Sequence, residues 1–364
     1  MNQIIRYIII MGILLYAFPL SSQPSEYDKG IKKATRLIEK LVKKKKVPGL
    51  AIAVSKNGET IWETGFGYAD IENKEPVQPG KTIFRIASVS KPLAATALAK
   101  MVEEKKITLD SSFYKYVPYF PKKKHDFTIR QLGSHTAGIR TYKGNEFLNN
   151  KPLTIKEGIA MFQDDPLLFE PGTSYAYNSY DWTLISLAMQ EASGMPFEEY
   201  VEENVLKPLG MEHTFPEGNS PILNKAVFYS KKGKRKFRLA TQVDNFYKLA
   251  GGGYLSTATD ILKLGNAYLK GDFIPSTITH QFLSSQELGE QLTYYGIGWE
   301  VSYDHKKRPY YGHIGNGVGG YAVFRIYPAQ NMVVSILINV TNPQIEKKTD
   351  KIIDAVMKRA MLYQ

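Results

Sequence analysis

The sequence predicts an α+β protein in which one antiparallel sheet is built from both termini and a helical lobe is inserted between the two halves. Two observations predict this class. Strand-like runs separated by short turns lie near both ends of the chain, and apolar residues recur at helical spacing between them. We place the sheet lobe at about 27–84 and 290–364 and the helical lobe at about 85–289. The cleft between two such lobes is the expected ligand site.

The N-terminal segment has the pattern of a signal peptide. Arg6 supplies a positive charge, 7–20 is an apolar stretch, and 21–23 offers small polar residues for cleavage. The apolar stretch is short for a membrane-spanning helix. We therefore expect a signal peptide at 1–22, a mature domain at 23–364 and export to the periplasm or the medium. An uncleaved membrane anchor is the alternative.

The mature chain begins with a helix and a hairpin. Apolar residues at helical spacing predict a helix over 27–42. Strand-like runs at 50–55 and 60–68 flank Lys56-Asn57-Gly58, which is typical of a hairpin turn. Together they predict the first two strands of the sheet.

The last part of the chain predicts the remaining strands and a closing helix. Residues typical of strands occupy 294–303, 310–314, 321–327 and 333–340, and helical spacing covers 348–362. The segment from Phe84 to about 289 reads as helical, with loops at 118–125 and 166–173.

Composition excludes several classes of function. The chain of 364 residues has no cysteine, so disulfides and thiolate catalysis are excluded. The formal net charge is +12, with lysine-rich runs at 43–46, 122–124 and 231–236. We interpret these runs as scattered solvated faces, expect no nucleic-acid partner, and leave open a weak association with an anionic membrane surface.

Two patterns that suggest cofactors do not hold. Gly315, Gly317 and Gly320 satisfy the G-x-G-x-x-G fingerprint, but a strand follows where dinucleotide binding needs a helix. The six histidines never occur at metal-ligand spacing. We expect no metal site and no cofactor.

Ser88 and Lys91 form the motif around which a catalytic function is predicted. They open a run of strong helix formers, so the lysine lies on the same helix face as the serine, three residues later. A desolvated lysine has a lowered pKa and can remove the serine proton. The spacing alone is weak evidence: it recurs at Ser112 and Lys115, and a serine at this place is also an ordinary helix cap.

Further stretches in the same order strengthen the catalytic interpretation. The context of Ser88 resembles the first motif of the serine β-lactamase and penicillin-binding-protein superfamily, in its class C-like branch. The other matching stretches are VPGLA (47–51), GFG (65–67), TIRQLGSHTAGI (128–139), FEPG (169–172), YAYNS (175–179), SGMP (193–196), PLGM (208–211), AGGGYLST (250–257) and HIG (313–315). The chain resembles in particular the mitochondrial serine β-lactamase-like proteins and their bacterial relatives. The resemblance implies the β-lactamase/transpeptidase-like fold.

The resemblance also implies a mechanism. Ser88 attacks a carbonyl, Lys91 and Tyr177 form the general base system, and the backbone N–H groups of Ser88 and Asn316 form the oxyanion hole. Tyr177 is a feasible base only if its pKa falls well below about 10, which the nearby Lys91 ammonium is expected to cause.

Two departures from the family's motifs bear on the substrate. Ser179 stands where the second motif has asparagine, and Asn178, one place earlier, is not expected to face the cleft. His313-Ile314-Gly315 replaces Lys-Thr-Gly, so a partly charged histidine stands where a fixed cation binds substrate carboxylates. With His313, Gly315, Asn316 and Ser179 as substrate-binding residues, we expect weak β-lactamase activity and a preference for esters or peptides.

Three functions remain open at this point. The first is an exported serine hydrolase acting on an ester or a peptide, including cell-wall peptides. The second is a D,D-carboxypeptidase or β-lactamase, and the third is a catalytically weak binding or assembly module. The sequence identifies neither the substrate nor the oligomeric state.

Overall fold

A computed structural model describes residues 26–218 and 221–357. The expected signal peptide at 1–22 and the last residues of the helix expected at 348–362 lie outside this range. Within the range, no helix combines the length and apolar character needed to cross a membrane.

The strands are short outside the main sheet. Their bounds are β1 Gly49–Lys56, β2 Glu59–Asp70, β3 Glu75–Pro76, β4 Phe84–Arg85, β5 Phe215–Pro216, β6 Tyr229–Lys231, β7 Phe237–Leu239, β8 Tyr254–Ser256, β9 Glu287–Leu288, β10 Gln291–Leu292, β11 Glu300–Tyr303, β12 Pro309–Gly317, β13 Gly320–Tyr327 and β14 Met332–Ile338.

The helices occupy both ends and the middle of the chain. Their bounds are α1 Asp28–Lys43, α2 Ser90–Glu103, α3 Ile129–Gly133, α4 Ile155–Gly158, α5 Tyr180–Ser193, α6 Phe197–Val201, α7 Leu249–Gly252, α8 Ala258–Lys270, α9 Ser276–Phe282 and α10 Glu346–Met357.

The main sheet confirms the predicted fold class. Its seven antiparallel strands have the order β11-β12-β13-β14-β1-β2-β3, so strands from both ends of the chain are neighbours. Central β1 pairs with β14 from Leu50↔Ile338 to Lys56↔Met332. One sheet is therefore closed by residues that lie far apart in the sequence.

Side-chain alternation explains why both faces of this sheet are covered. Along β1, Leu50, Ile52 and Val54 pack into the core formed with α1 and α10. Ala51 and Ala53 face the helical side, where small side chains let α8 approach. Strands that are buried on both faces have few polar residues, as β1 and β14 do. On the outer face α1 and α10 pack closely. A Cβ at Gly30 would lie only 2.3 Å from the Ala355 carbonyl oxygen, so this approach requires a glycine.

The structure corrects two details of the sequence interpretation. The segment expected to be helical contains a small sheet in the order β4-β8-β5 and the hairpin β6–β7, and the hairpin β9–β10 spans its C-terminal boundary. The strand expected at 294–303 begins only at Glu300. Tyr294 and Gly298 have φ of 56° and 78°, and such left-handed residues interrupt a strand.

Candidate active site

Ser88 lies in a strained turn between the small sheet and the helical lobe. It occupies the 3-10 turn Ala87–Val89, which leads directly into α2. Ala87 has φ of 46°, a conformation that costs an alanine about 1–2 kcal/mol. Strain of this kind is characteristic of functional turns. The turn leaves Ser88 partly exposed at the cleft while its neighbours are buried.

The Lys91 ammonium lies within reach of Ser88, on the first turn of α2. Its Nζ is 3.3 Å from Ser88 Oγ and donates to Tyr177 Oη and to the Gly251 carbonyl oxygen, both at 2.8 Å. The side chain is fully buried. Desolvation lowers the pKa of Lys91 to about 7, assisted by the charge of Lys248 and opposed by Asp181 and Glu300. A large fraction of Lys91 is therefore a neutral amine near pH 7.

Tyr177 keeps its proton, in contrast to the sequence expectation. Its ring is 40% exposed, but its hydroxyl faces inward to Lys91 and Ser88. Desolvation of that hydroxyl raises the pKa of Tyr177, and the Ser88 hydrogen bond only partly offsets it. The expected lowering by Lys91 fails because burial makes the lysine itself lose charge. Tyr177 is thus suited to pass a proton on rather than to act as an anionic base.

Two backbone N–H groups converge on the space beside Ser88. The Ser88 N–H lies at the start of a helical segment, where N–H groups have no intrahelical partner. The hairpin β12–β13 turns at Val318 and Gly319, and its register pairs Gly317 with Gly320 and Asn316 with Tyr321. Because antiparallel pairs alternate, the Asn316 N–H points away from β13, towards the cleft. The arrangement suits an oxyanion hole.

Gly315 allows β12 to approach the turn Ala87–Val89 that carries Ser88. A Cβ at this position would lie 2.1 Å from the Ile86 carbonyl oxygen. Gly315 is buried in the strand, so its contribution to the site is close packing.

His313 is a neutral hydrogen-bonding residue. It is 2% exposed, and burial lowers its pKa to about 4 although Glu300 opposes the effect. Its Nδ1 lies 2.8 Å from the Ile314 carbonyl oxygen, which can only accept, so Nδ1 carries the proton. Nε2 then accepts from the Tyr295 hydroxyl at 2.9 Å. The partial positive charge expected from the sequence is therefore absent near pH 7.

Comparison with known proteins agrees with this geometry. The sequence model described as Beta-lactamase matches residues 34–357. The chain belongs to the beta-lactamase family. The resemblance seen in its motifs is thereby confirmed.

Individual proteins are similar to this chain in sequence or in fold. Serine beta-lactamase-like protein LACTB, mitochondrial, of Homo sapiens is 28% identical, over 84% of this chain and 73% of the relative. D-amino acid amidase from Ochrobactrum anthropi SV3 superposes with a TM-score of 0.80 at 20% identity, over 92% of this chain and 99% of the amidase. EstCE1, a hydrolase with promiscuous acyltransferase activity, superposes with a TM-score of 0.77 at 20% identity, over 91% of this chain and 99% of EstCE1.

This member of the beta-lactamase family holds its second motif in an unusual way. Asn178 is 2% exposed and bonds the Ile139 and Ala176 carbonyl oxygens, so it points away from the cleft as expected. Ser179 bonds Tyr142, and in the described part of the chain Lys91 bonds the Gly251 carbonyl instead of Ser179. Ser179 still lines the cleft beside Ser88.

Sequence reasoning missed a buried pair beneath Tyr177. His135 Nδ1 and Asp181 Oδ2 lie 2.8 Å apart with both side chains fully buried. The His135 ring packs against the Tyr177 ring at 4.5 Å. Burial lowers the pKa of His135, so its ring is neutral. The pair supports the tyrosine. The GSHT stretch was recognised only as a family block, and nothing in the sequence links it to Asp181.

The cleft of this family member has two halves that meet at Ser88 and Asn316. The tyrosine half, about 420 Å³, has an aromatic wall that includes Tyr175, Tyr177 and Tyr295. The lysine half, about 240 Å³, contains Lys248, Ser179 and Gly251. A larger apolar cavity of about 780 Å³ lies elsewhere and contains none of the predicted site residues.

A possible metal-ligand group lies apart from the cleft. Asp304, His305 and Asp354 bring their ligand atoms within 4.8 Å of one another. Arg308 already bonds both carboxylates, so their charges are balanced by the protein itself.

Proposed function

We propose that this protein is an exported serine hydrolase that transfers the acyl group of an ester or a peptide to Ser88 and then to water. The observation that carries the proposal is the position of Lys91 Nζ, 3.3 Å from Ser88 Oγ in a desolvated site. The neutral amine form of Lys91 at this place can accept the serine proton. Membership in a family that contains serine hydrolases supports the proposal.

The proton path follows from the hydrogen bonds. Lys91 takes the proton as Ser88 Oγ attacks the carbonyl carbon, and the Ser88 and Asn316 N–H groups stabilise the oxyanion, about 3 kcal/mol for each donor. Tyr177 gives its proton to the leaving group and recovers one from Lys91 across their 2.8 Å hydrogen bond. In deacylation the proton transfers reverse direction, and the same groups remove a proton from the attacking water.

The substrate preference follows from the tyrosine half of the cleft. Its described lining contains Glu300 and no lysine or arginine, and His313 is neutral. A terminal carboxylate of a penicillin or a D-Ala-D-Ala peptide has no cation to bind there. The absence of such a cation favours an esterase or amidase over the alternative of a D,D-carboxypeptidase or β-lactamase. Among the proteins of similar fold, one is an amidase by its title and EstCE1 is a hydrolase with promiscuous acyltransferase activity.

A substrate panel tests the proposal. Purified protein would be assayed with 4-nitrophenyl butyrate, D-phenylalanine amide, a D-Ala-D-Ala peptide and a cephalosporin, with Ser88→Ala as the control. We expect hydrolysis of the ester or the amide that disappears in Ser88→Ala. Cephalosporin hydrolysis near the diffusional limit would favour a β-lactamase. A folded protein inactive on every substrate would favour a binding or assembly module.

Export is the second part of the proposal. It is supported by the charged, apolar and small-residue order of 1–22. N-terminal sequencing of protein collected from the periplasm or medium should begin near residue 23. A mature chain that still starts at Met1 would contradict cleavage.

A further inference from the structure

Lys248 is a buried lysine without an acidic partner. It is 7% exposed and lies in the turn just before α7. Its Nζ makes one long hydrogen bond, 3.4 Å to the Phe147 carbonyl oxygen, and lies over the rings of Tyr142 and Tyr247. Within 26–218 and 221–357 it forms no ion pair. An ammonium has three N–H donors, so at least one is available to a ligand.

The other cations near the cleft are already engaged by neighbouring protein groups. Arg85 binds Glu217 through Nε at 2.8 Å and through Nη2 at 2.7 Å, and its Nη1 donates to the Val318 carbonyl oxygen at 2.6 Å. Lys91 bonds three oxygens. Lys248 is therefore the cation of the described cleft lining that can take a substrate anion.

The neighbouring acids do not neutralise Lys248. Glu217 is held by Arg85 and by Asn245, whose Nδ2 donates at 2.7 Å. Asp244 accepts from the Phe246 N–H at 2.9 Å and lines the apolar cavity instead. Burial, with the charge of Arg85, lowers the pKa of Lys248 to about 8, and Glu217 and Asp244 oppose this only in part, so most of the lysine is charged near pH 7. A bound anion would offset this desolvation.

The site's proton path assigns the two halves of the cleft to two parts of the substrate. Tyr177 donates to the leaving group and lines the tyrosine half, so the leaving group lies there. The acyl part then extends across Ser88 into the half that contains Lys248.

We propose that Lys248 binds a carboxylate on the acyl part of the substrate and thereby makes the enzyme select acidic acyl groups. This inference rests on the proposed acyl transfer to Ser88. A single ammonium matches the single charge of a carboxylate, and Glu300 in the opposite half repels an anion bound the other way round.

A matched pair of substrates tests this selectivity. The anionic one is 4-nitrophenyl hydrogen adipate, and the neutral one is its methyl ester, with release of nitrophenolate as the readout for both. We expect wild type to have the higher kcat/KM for the anionic ester. Lys248→Met should lower the ratio of the two values about tenfold or more, because a buried charge-assisted hydrogen bond is lost. Lys248→Arg should restore part of the ratio. A ratio unchanged in Lys248→Met would overturn the proposal.

A binding measurement separates this proposal from the catalytic one. In the Ser88→Ala background both esters can be titrated calorimetrically without turnover. Tighter binding of the anionic ester that is lost with Lys248→Met supports the carboxylate site even if the wild type proves inactive. If Ser88→Ala binds the two esters with equal affinity, both with and without Lys248→Met, the carboxylate site would be excluded even if hydrolysis is found. Thermal unfolding of Lys248→Met checks that the variant folds.

Discussion

The protonation state of Lys91 is set by opposing effects on its Nζ. Full burial favours the neutral amine, while Asp181 and Glu300 favour the ammonium. The result is a pKa of about 7, which lies near physiological pH and suits a general base. Tyr177, whose pKa is raised by the same burial, stays protonated through this range.

The pH dependence of activity should report Lys91. The base form is the neutral amine, and its population grows as pH rises above its pKa, so kcat/KM for a neutral ester should increase through an apparent pKa of about 7. Stopped-flow or steady-state rates between pH 5 and 9 measure this. The rise should persist in Lys248→Met but move to higher pH, because the charge of Lys248 helps to lower the pKa of Lys91. A rate that falls with rising pH over this range would contradict Lys91 as the base.

The buried carboxylate of Asp181 should matter for stability as well as rate. Asp181→Ala leaves His135 Nδ1 without its partner and removes one of three acceptors of the Asn178 amide, and an unsatisfied buried polar group costs about 1–3 kcal/mol. Urea unfolding should show this loss, and kcat should fall because Tyr177 loses ring support. Asp272→Ala, at an exposed ion pair, is the control and should change stability by less than about 0.5 kcal/mol. Equal effects of the two substitutions would contradict the role of Asp181.

Only local relations among these residues follow from the sequence. Ser88 and Lys91 share a helix face because they are three apart, and the structure has their atoms 3.3 Å apart. The pKa of Tyr177 depends on desolvation by residues distant in the chain, so the lowering expected from the neighbouring Lys91 was wrong in direction. Lys248 had no signal, because a lysine in a chain with many exposed lysines is not recognisable as buried.

At the scale of elements, the end of β12 fixes the position of the Asn316 N–H, one of the two proposed oxyanion donors. The sequence predicted this strand only to 314, whereas it continues to Gly317 and packs on the nucleophile turn. The GNGVGG stretch (315–320) matches the dinucleotide fingerprint, but its glycines serve close packing and a tight turn. Packing between distant elements decides where β12 ends and what its glycines do, and the periodicity of the sequence does not reveal such packing.

Gly315→Ala tests that contact. The added Cβ would meet the Ile86 carbonyl oxygen at 2.1 Å, so β12 or the Ser88 turn must move. We expect a loss of unfolding free energy of about 1–3 kcal/mol and a fall in kcat of tenfold or more. The control is Gly218→Ala, whose Cβ meets only ordinary contacts, the nearest at 3.5 Å from Phe246. Full activity in Gly315→Ala would show that the approach is not needed.

At the scale of the whole molecule, the fold brings together two of the three lysine-rich runs, which lie far apart in the sequence. Lys40, Lys43, Lys44 and Lys45 at the end of α1 line one surface depression with Arg235 and Lys236 of the β6–β7 hairpin. Lys231 bonds the Pro343 carbonyl oxygen and Tyr229 bridges to Val340, which hold this hairpin against the end of the sheet. Tertiary structure therefore creates a basic surface that composition alone does not reveal.

This basic surface should bind anionic vesicles weakly. Attraction between exposed charges is screened by salt, so sedimentation with phosphatidylglycerol vesicles should be seen at low ionic strength and lost in 0.5 M NaCl. Lys43→Glu with Lys44→Glu should abolish binding. Lys122→Glu with Lys124→Glu changes the net charge equally at another place and should reduce it less. Equal losses would mean that net charge alone drives the association.

The central claim is that Ser88 is an activated nucleophile, and intact-mass spectrometry after fluorophosphonate treatment tests it most directly. Displacement of fluoride by Ser88 Oγ should add one phosphonyl group to the wild type. We predict a single adduct on the wild type, none on Ser88→Ala, and slow labelling of a folded Lys91→Met variant. No adduct on folded wild-type protein, or an equal adduct on Ser88→Ala, would contradict the assignment of Ser88.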